Sequence, residues 1–186
     1  GPLGNGFLPQ PTRHLIMVAG GIGQTPFVTL AKEYLGLANY GRDCPQADKV
    51  TLCYGARNEG LLAGVETFEA VPGLDVRLCT DDGSLGHHGL VTDVLKQVLE
   101  DDKQAHGSNE GVRVVCCGPE PMMEAVAAVS KSWEVACQVS LETPMACGIG
   151  ICFTCVTKVL QDDGSWDYKR TCVEGPVFDA SKIVWH

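Results

Sequence analysis

His14-Leu-Ile-Met-Val-Ala-Gly-Gly-Ile-Gly-Gln-Thr-Pro26 passes from an apolar run through a glycine turn into a helical pattern. Leu15 to Ala19 are all apolar, the composition of a short strand buried on both faces. Gly20, Gly21 and Gly23 then allow a tight turn, and Pro26 suits the first turn of a helix, where its missing N–H costs nothing. The physical use of such a turn is anion binding: Gly21 and Gly23 let backbone amides approach a pyrophosphate, and a helix beginning near Thr25 adds partial positive charge. The pattern is G-x-G-x-x-P rather than the dehydrogenase G-x-G-x-x-G, so on its own it is equally a tight turn with no ligand.

Outward from this stretch, short β-branched or apolar runs alternate with helical patterns. Strands are expected at 14–19, 49–54, 74–79, 112–116 and 133–138, with helices at 25–37, 64–70, 90–99 and 120–130. Five strands joined by four crossovers predict an α/β fold with a doubly wound five-stranded parallel sheet. The polar stretches 39–48 and 100–111 read as surface connections. Tyr54-Gly-Ala-Arg57, Thr80-Asp-Asp-Gly-Ser84 and Cys117-Gly-Pro-Glu-Pro-Met122 all follow strands, at the carboxyl edge where open α/β sheets bind ligands. Arg57 reads mainly as a solvated loop residue, and the adjacent His87 and His88 as loop residues rather than a metal site.

Near Ser140 the rhythm stops. Cys147, Cys152, Cys155 and Cys172 stand in the order C-x4-C-x2-C…C, the spacing that holds a [2Fe–2S] cluster in plant-type ferredoxins. Gly148 and Gly150 suit a loop wrapped tightly around an inorganic core with amides aimed at sulfur. Four thiolates also suit tetrahedral zinc, although zinc ribbons usually pair one C-x-x-C with another. Beyond the loop, 155–160 and 165–171 suggest a hairpin turning at Asp162-Asp-Gly164. Cys44, Cys53, Cys79, Cys116 and Cys137 read as core or loop thiols.

The 186 residues suffice for a nucleotide domain and a small module. The expected division is 1–12 as a linker or the end of a preceding domain, 13–138 as an NAD-binding domain, and 139–186 as a cluster module. With 14 basic and 23 acidic residues the formal charge is −9, which repels a phosphate backbone and excludes nucleic acid as an expected partner. No apolar run approaches a membrane span, and ten cysteines without a signal segment point to a reducing, cytoplasmic setting. Gly1-Pro-Leu-Gly-Asn-Gly-Phe7 begins without methionine and reads as the middle of a loop or the remnant of a protease site. No Ser/His/Asp set or carboxylate pair stands out, so no catalytic side chain is expected.

Together these segments resemble the electron-transfer subunits of NAD-linked dihydroorotate dehydrogenase, in the ferredoxin reductase-like superfamily. The resemblance rests on Gly1 to Phe7, Gly20-Gly-Ile-Gly23 with Pro26, Thr80 to Ser84, Cys117-Gly-Pro119, Ser140-Leu-Glu142, Met145 to Gly150 and Gly175 to Ala180, in the family's order. It implies an oxidoreductase subunit of pyrimidine biosynthesis that passes electrons from an FMN-containing catalytic subunit through a [2Fe–2S] cluster and FAD to NAD. Gly21, Gly23, Gln24 and Pro26 would serve the dinucleotide, with Asp82 nearby, and Cys117, Gly118 and Pro119 would lie near the nicotinamide and flavin rings. Cys147, Cys152, Cys155 and Cys172 would hold the cluster. The family's flavin-binding β-barrel, with its arginine-aromatic-serine motif, is absent from this sequence, which reads as a fragment or shortened relative, inactive without a flavin domain and a catalytic partner. A paralogous reductase subunit of the sulfide or ferredoxin–NADP type and a non-catalytic cluster-bearing assembly module are the alternatives. NADH is favoured over NADPH, because one arginine with an acidic neighbour after strand two is not a basic cluster for a 2′-phosphate.

Overall fold

The computed structural model describes residues 4–185, so the first three residues of the opening Gly-Pro-Leu-Gly segment lie outside it. Strands β1 (His14–Gly20), β2 (Lys49–Ala56), β3 (Leu74–Thr80), β4 (His87–His88), β5 (Val112–Cys117), β6 (Ala136–Ser140), β7 (Val156–Leu160), β8 (Trp166–Arg170) and β9 (Val177–Asp179) accompany helices α1 (Phe27–Tyr34), α2 (Val65–Glu69), α3 (Val91–His106) and α4 (Glu120–Ser132). The main sheet has the order β4-β3-β2-β1-β5-β6-β9, while β7 and β8 pair as a separate hairpin. All neighbours in the main sheet are parallel except β6 and β9. The sheet therefore has seven strands where five were expected. The two extra ones are edge strands of two and three residues, too short to leave a periodic signal.

The apolar run of β1 explains the two layers. Leu15, Met17 and Ala19 pack with Phe27, Leu30 and Tyr34 of α1 and Phe68 of α2. Ile16 and Val18 point the other way, into a core with Val94, Leu95 and Leu99 of α3 and Met123 and Val126 of α4. Strand order reverses between β1 and β5, so the turns leaving these two strands flank the crevice where such sheets bind ligands.

Three elements have a boundary that differs from expectation by three residues or more. Helix α1 starts at Phe27, after a 3-10 turn over Gly21–Gln24, and Gly36 (φ 69°) lies just beyond its end. Strand β6 begins at Ala136 rather than Trp133, because the Trp133 amide still donates to Val129 O (3.1 Å) and Glu134 takes a positive φ of 56°. Helix α3 continues to His106, through part of the stretch read as a connection. Its Asp102 is buried and accepts from Arg13 Nη2 (2.6 Å) and from His14 Nδ1 (2.8 Å), so a polar sequence covers an inward-facing carboxylate. Among the described residues no helix is long and apolar enough to cross a membrane.

The residues after β6 are knitted into the sheet. Strand β9 pairs with β6, Leu141 N donates to Pro176 O (2.9 Å), and Val184 N donates to Lys158 O (3.1 Å). The N-terminal segment is tied to that region by Asn5 Nδ2, which donates to Val173 O (3.1 Å), and to the rest of the fold by Arg42 Nη1, which holds Phe7 O (2.8 Å), and the buried Arg113, which holds Leu8 O (3.1 Å).

Candidate functional site

Two glycine turns meet at the switch point. A Cβ on Gly20 would strike Met122 Sδ and sit 2.9 Å from Pro119 Cδ; one on Gly118 would sit 3.0 Å from Gly20 N; one on Gly23 would enter the Cys117 carbonyl and lie 2.7 Å from Gly118 N. The turns leaving β1 and β5 are thus pressed together in a way only glycine permits. Beside them opens a cavity of about 670 Å³, walled by Gly20, Gly21 and Ile22, by Gly55 to Arg57 at the end of β2, by Asp81, and by Leu61, Leu90, Pro119 and Met122. Its lining is mostly apolar with one cation and one carboxylate, the character of a small-molecule cleft.

The structure brings Gly21 and Pro119 to this wall. Gly23 is buried against the β5 turn, so its close approach is to protein backbone. Gln24, Pro26 and Cys117 lie off the cavity wall, and Gly118 faces a second cavity. Asp82 is exposed and closes its own turn, accepting from Ser84 N (2.9 Å) and Ser84 Oγ (2.6 Å), bonds that hold its carboxyl below the usual range. Its neighbour Asp81 faces the cleft instead. Burial pushes the Cys117 thiol up despite a bond with Ser140, so it stays protonated near neutrality. Arg57, read from sequence as a loop residue, is on the wall; its position directly after a strand at the carboxyl edge was the signal for it.

The second cavity, about 430 Å³, lies between Gly118, Pro119 and Glu120 on one side and Leu141 to Pro144, Val156 and Thr157 on the other. Pro119 borders both cavities, so the β5 turn is a shared wall between the cleft and the segment that carries the cysteines.

That segment brings one pair of its thiols into contact. Cys155 and Cys172 are both buried with their sulfurs 3.0 Å apart, and Thr171 N donates to Cys155 O (2.8 Å) to hold the hairpin end against the loop. One thiol of this pair donates to the other, which lowers Cys155 and raises Cys172. Cys147 Sγ accepts from the Ile149 amide (3.5 Å), and the amides of its loop bring its thiol down to about 6. Gly148 (φ 64°) and Gly150 (φ 80°) supply the left-handed turns that aim these amides. Among the described residues no three or more His, Cys, Asp or Glu side chains converge as the ligands of a single ion do. The contact between Cys155 and Cys172, and a loop amide aimed at the Cys147 sulfur, fit a two-iron cluster better than one tetrahedral zinc. All ten cysteines are free thiols.

Comparison with known proteins accords with this arrangement. Residues 17–128 match the model described as the oxidoreductase NAD-binding domain, and residues 142–184 match the iron-sulfur cluster binding domain of dihydroorotate dehydrogenase B. The dihydroorotate dehydrogenase B (NAD(+)) electron transfer subunit of Caldanaerobacter subterraneus is 37% identical over 185 residues, covering 100% of this chain and 65% of that protein. The probable counterpart in Methanocaldococcus jannaschii is 35% identical over 183 residues, 98% of this chain and 61% of its own length. This chain therefore spans just under two thirds of these relatives. A chain of the NADH-dependent reduced ferredoxin-NADP oxidoreductase superposes with a TM-score of 0.73 at 27% identity, covering 100% of this chain and 59% of that one. The chain belongs to the oxidoreductases built on this NAD-binding domain, and its cysteine segment matches the iron-sulfur domain of dihydroorotate dehydrogenase B.

Proposed function

We propose that the chain is the nucleotide- and cluster-binding portion of the electron-transfer subunit of an NAD-linked dihydroorotate dehydrogenase. In this reading it works with an FMN-containing catalytic subunit in a reducing, cytoplasmic setting, and FAD is bound with a barrel outside this sequence. Cys147, Cys152, Cys155 and Cys172 hold a [2Fe–2S] cluster, which when bound exchanges electrons singly, so that a flavin is needed between it and the two-electron nicotinamide. The chain's own residues bind and orient. The cleft beside Gly21 takes the dinucleotide, with Arg57 available to a phosphate or ribose hydroxyl. Asp81 on the same wall disfavours a 2′-phosphate, which supports NAD over NADP. Pro119 and Gly118 separate this cleft from the cysteine segment, and the protonated Cys117 adds no charge to the turn.

One observation carries the reading: the β5 turn walls both the nucleotide cleft and the cavity against the cysteine segment. Its test is anaerobic reduction of the natural full-length protein, flavin segment included. NADH should bleach flavin and cluster absorbance, and dihydroorotate should drive NAD⁺ reduction once the FMN subunit is added. A cluster bleached by dithionite yet indifferent to NADH would overturn it. A ferredoxin–NADP-type reductase subunit is the second reading, favoured by the 0.73 superposition; activity with ferredoxin and none with dihydroorotate would select it.

A further inference from the structure

Arg170, the last residue of β8, reaches every part of the cysteine segment. Its Nη2 donates to Glu174 Oε1 (2.9 Å) and its Nε to Glu174 Oε2 (3.4 Å), two residues beyond Cys172. Its Nη1 donates to Gly150 O (2.8 Å), within the loop between Cys147 and Cys152. Its guanidinium carbon stands 5.2 Å from the centre of the Phe153 ring, between Cys152 and Cys155. Its own backbone joins the same lattice, since Arg170 N donates to Glu174 Oε2 (2.8 Å) and Arg170 O accepts from the amides of Val173, Glu174 and Gly175 (3.1, 2.9 and 3.2 Å). The Arg170 side chain as a whole is about three quarters shielded from solvent, with an exposure of 23%.

Two consequences follow from the shape and charge of this group. A planar fork with five donors can grip a carboxylate, a carbonyl and a ring at once, which a lysine ammonium cannot. A fixed, partly shielded cation held within the cysteine segment also offsets the negative charge that such a site gains with each electron, and fixed charge and hydrogen bonding around the sulfurs set cluster potentials.

We propose that Arg170 is the positioning residue of the cysteine site: it clamps the Cys147–Cys152 loop to the Cys172 turn and raises the reduction potential of the cluster held there. The inference rests on the reading of the four cysteines as cluster ligands. The test therefore begins with the wild-type protein, purified anaerobically and examined by electron paramagnetic resonance after dithionite has supplied one electron per cluster. No cluster signal there would defeat the ligand reading itself.

With the wild-type signal in hand, Arg170→Gln, Arg170→Lys and Glu174→Gln are compared by redox titration and by the rate at which an iron chelator bleaches the protein. Both arginine variants should lose iron about tenfold faster or more, the usual cost of removing a group that orients metal ligands. The potential should fall in Arg170→Gln, stay near wild type in Arg170→Lys, and rise in Glu174→Gln, where a negative charge is removed instead. General loosening of the loop would not produce opposite signs from the two neutralising changes. Wild-type iron retention in both arginine variants, or potentials that move the same way in Arg170→Gln and Glu174→Gln, would overturn the proposal. Circular dichroism of each variant establishes that the α/β sheet is intact, and Glu174→Gln keeps the sign test available if an arginine variant does not fold.

Discussion

Replacing Gly23 by alanine tests the close contact of the two ligand-site turns. The added Cβ would enter the Cys117 carbonyl and lie 2.7 Å from Gly118 N, and both are backbone atoms that cannot rotate aside. One turn must move by about an ångström, a case of overpacking that costs roughly 3 kcal/mol at the upper end of its usual range. Alanine regains about 0.5–1 kcal/mol by restricting the unfolded chain, leaving a net loss of about 2 kcal/mol. For a chain of this size that is a fall in melting temperature of about 4–8 °C. Gly21→Ala is the control. Its φ of 54° costs about 1 kcal/mol of backbone strain, nothing lies within 4 Å of the new Cβ, and the same unfolded-state gain nearly cancels the strain. Thermal unfolding followed by circular dichroism should therefore place Gly23→Ala several degrees below Gly21→Ala, although Gly21 and not Gly23 lines the cleft. Equal melting temperatures, or Gly23→Ala the more stable, would refute the claim that the β1 and β5 turns pack backbone to backbone.

Asp102→Asn removes the buried partner of Arg13 and His14 and should cost about 3 kcal/mol, or about 6–12 °C in melting temperature, without altering nucleotide affinity at a temperature where the variant is folded. Acid should weaken the fold in two stages. Burial holds His14 below its ordinary value despite Asp102, so its contribution is complete above about pH 6.5, the unfolded value, and declines as pH falls toward the lowered folded value. Asp102 is also lowered, because its bonds with Arg13 and His14 outweigh burial, so its contribution is lost only below about pH 4, and His14→Gln should abolish the first stage in a pH series of melting curves. Arg57→Gln should weaken NADH binding about tenfold in a fluorescence titration, the effect of losing one charge-assisted bond of about 1.4 kcal/mol, with little change in melting temperature.

The sheet was legible because its central strands are nearly continuous apolar runs buried on both faces; His14 to Gly20 carries both cores in alternate residues. What escaped was polar sequence put to inward use. The second half of α3 reads as a connection until Asp102 is seen to receive Arg13 and His14. Strand β9 is three residues long, and its pairing with β6 depends on a return of the chain that no local pattern encodes. In the cysteine segment the spacing and the loop glycines are readable in the sequence, whereas the contact of Cys155 with Cys172 depends on the return of the β7–β8 hairpin. The nucleotide wall was readable only as an edge. Which residue of each turn faces the cleft depends on how the turns pack, so Gly23 went inside while Arg57 and Asp81 came to the wall.

Metal and spin measurement on anaerobically purified protein tests the central claim most directly. The C-x4-C-x2-C…C spacing, with Cys155 and Cys172 in contact, predicts about two irons and two inorganic sulfides per chain, and a rhombic spin-one-half resonance after dithionite. Cys172→Ser should diminish that signal while leaving the nucleotide cleft able to bind NADH. A colourless wild-type protein holding one zinc per chain, silent in the resonance experiment, would contradict the electron-transfer account.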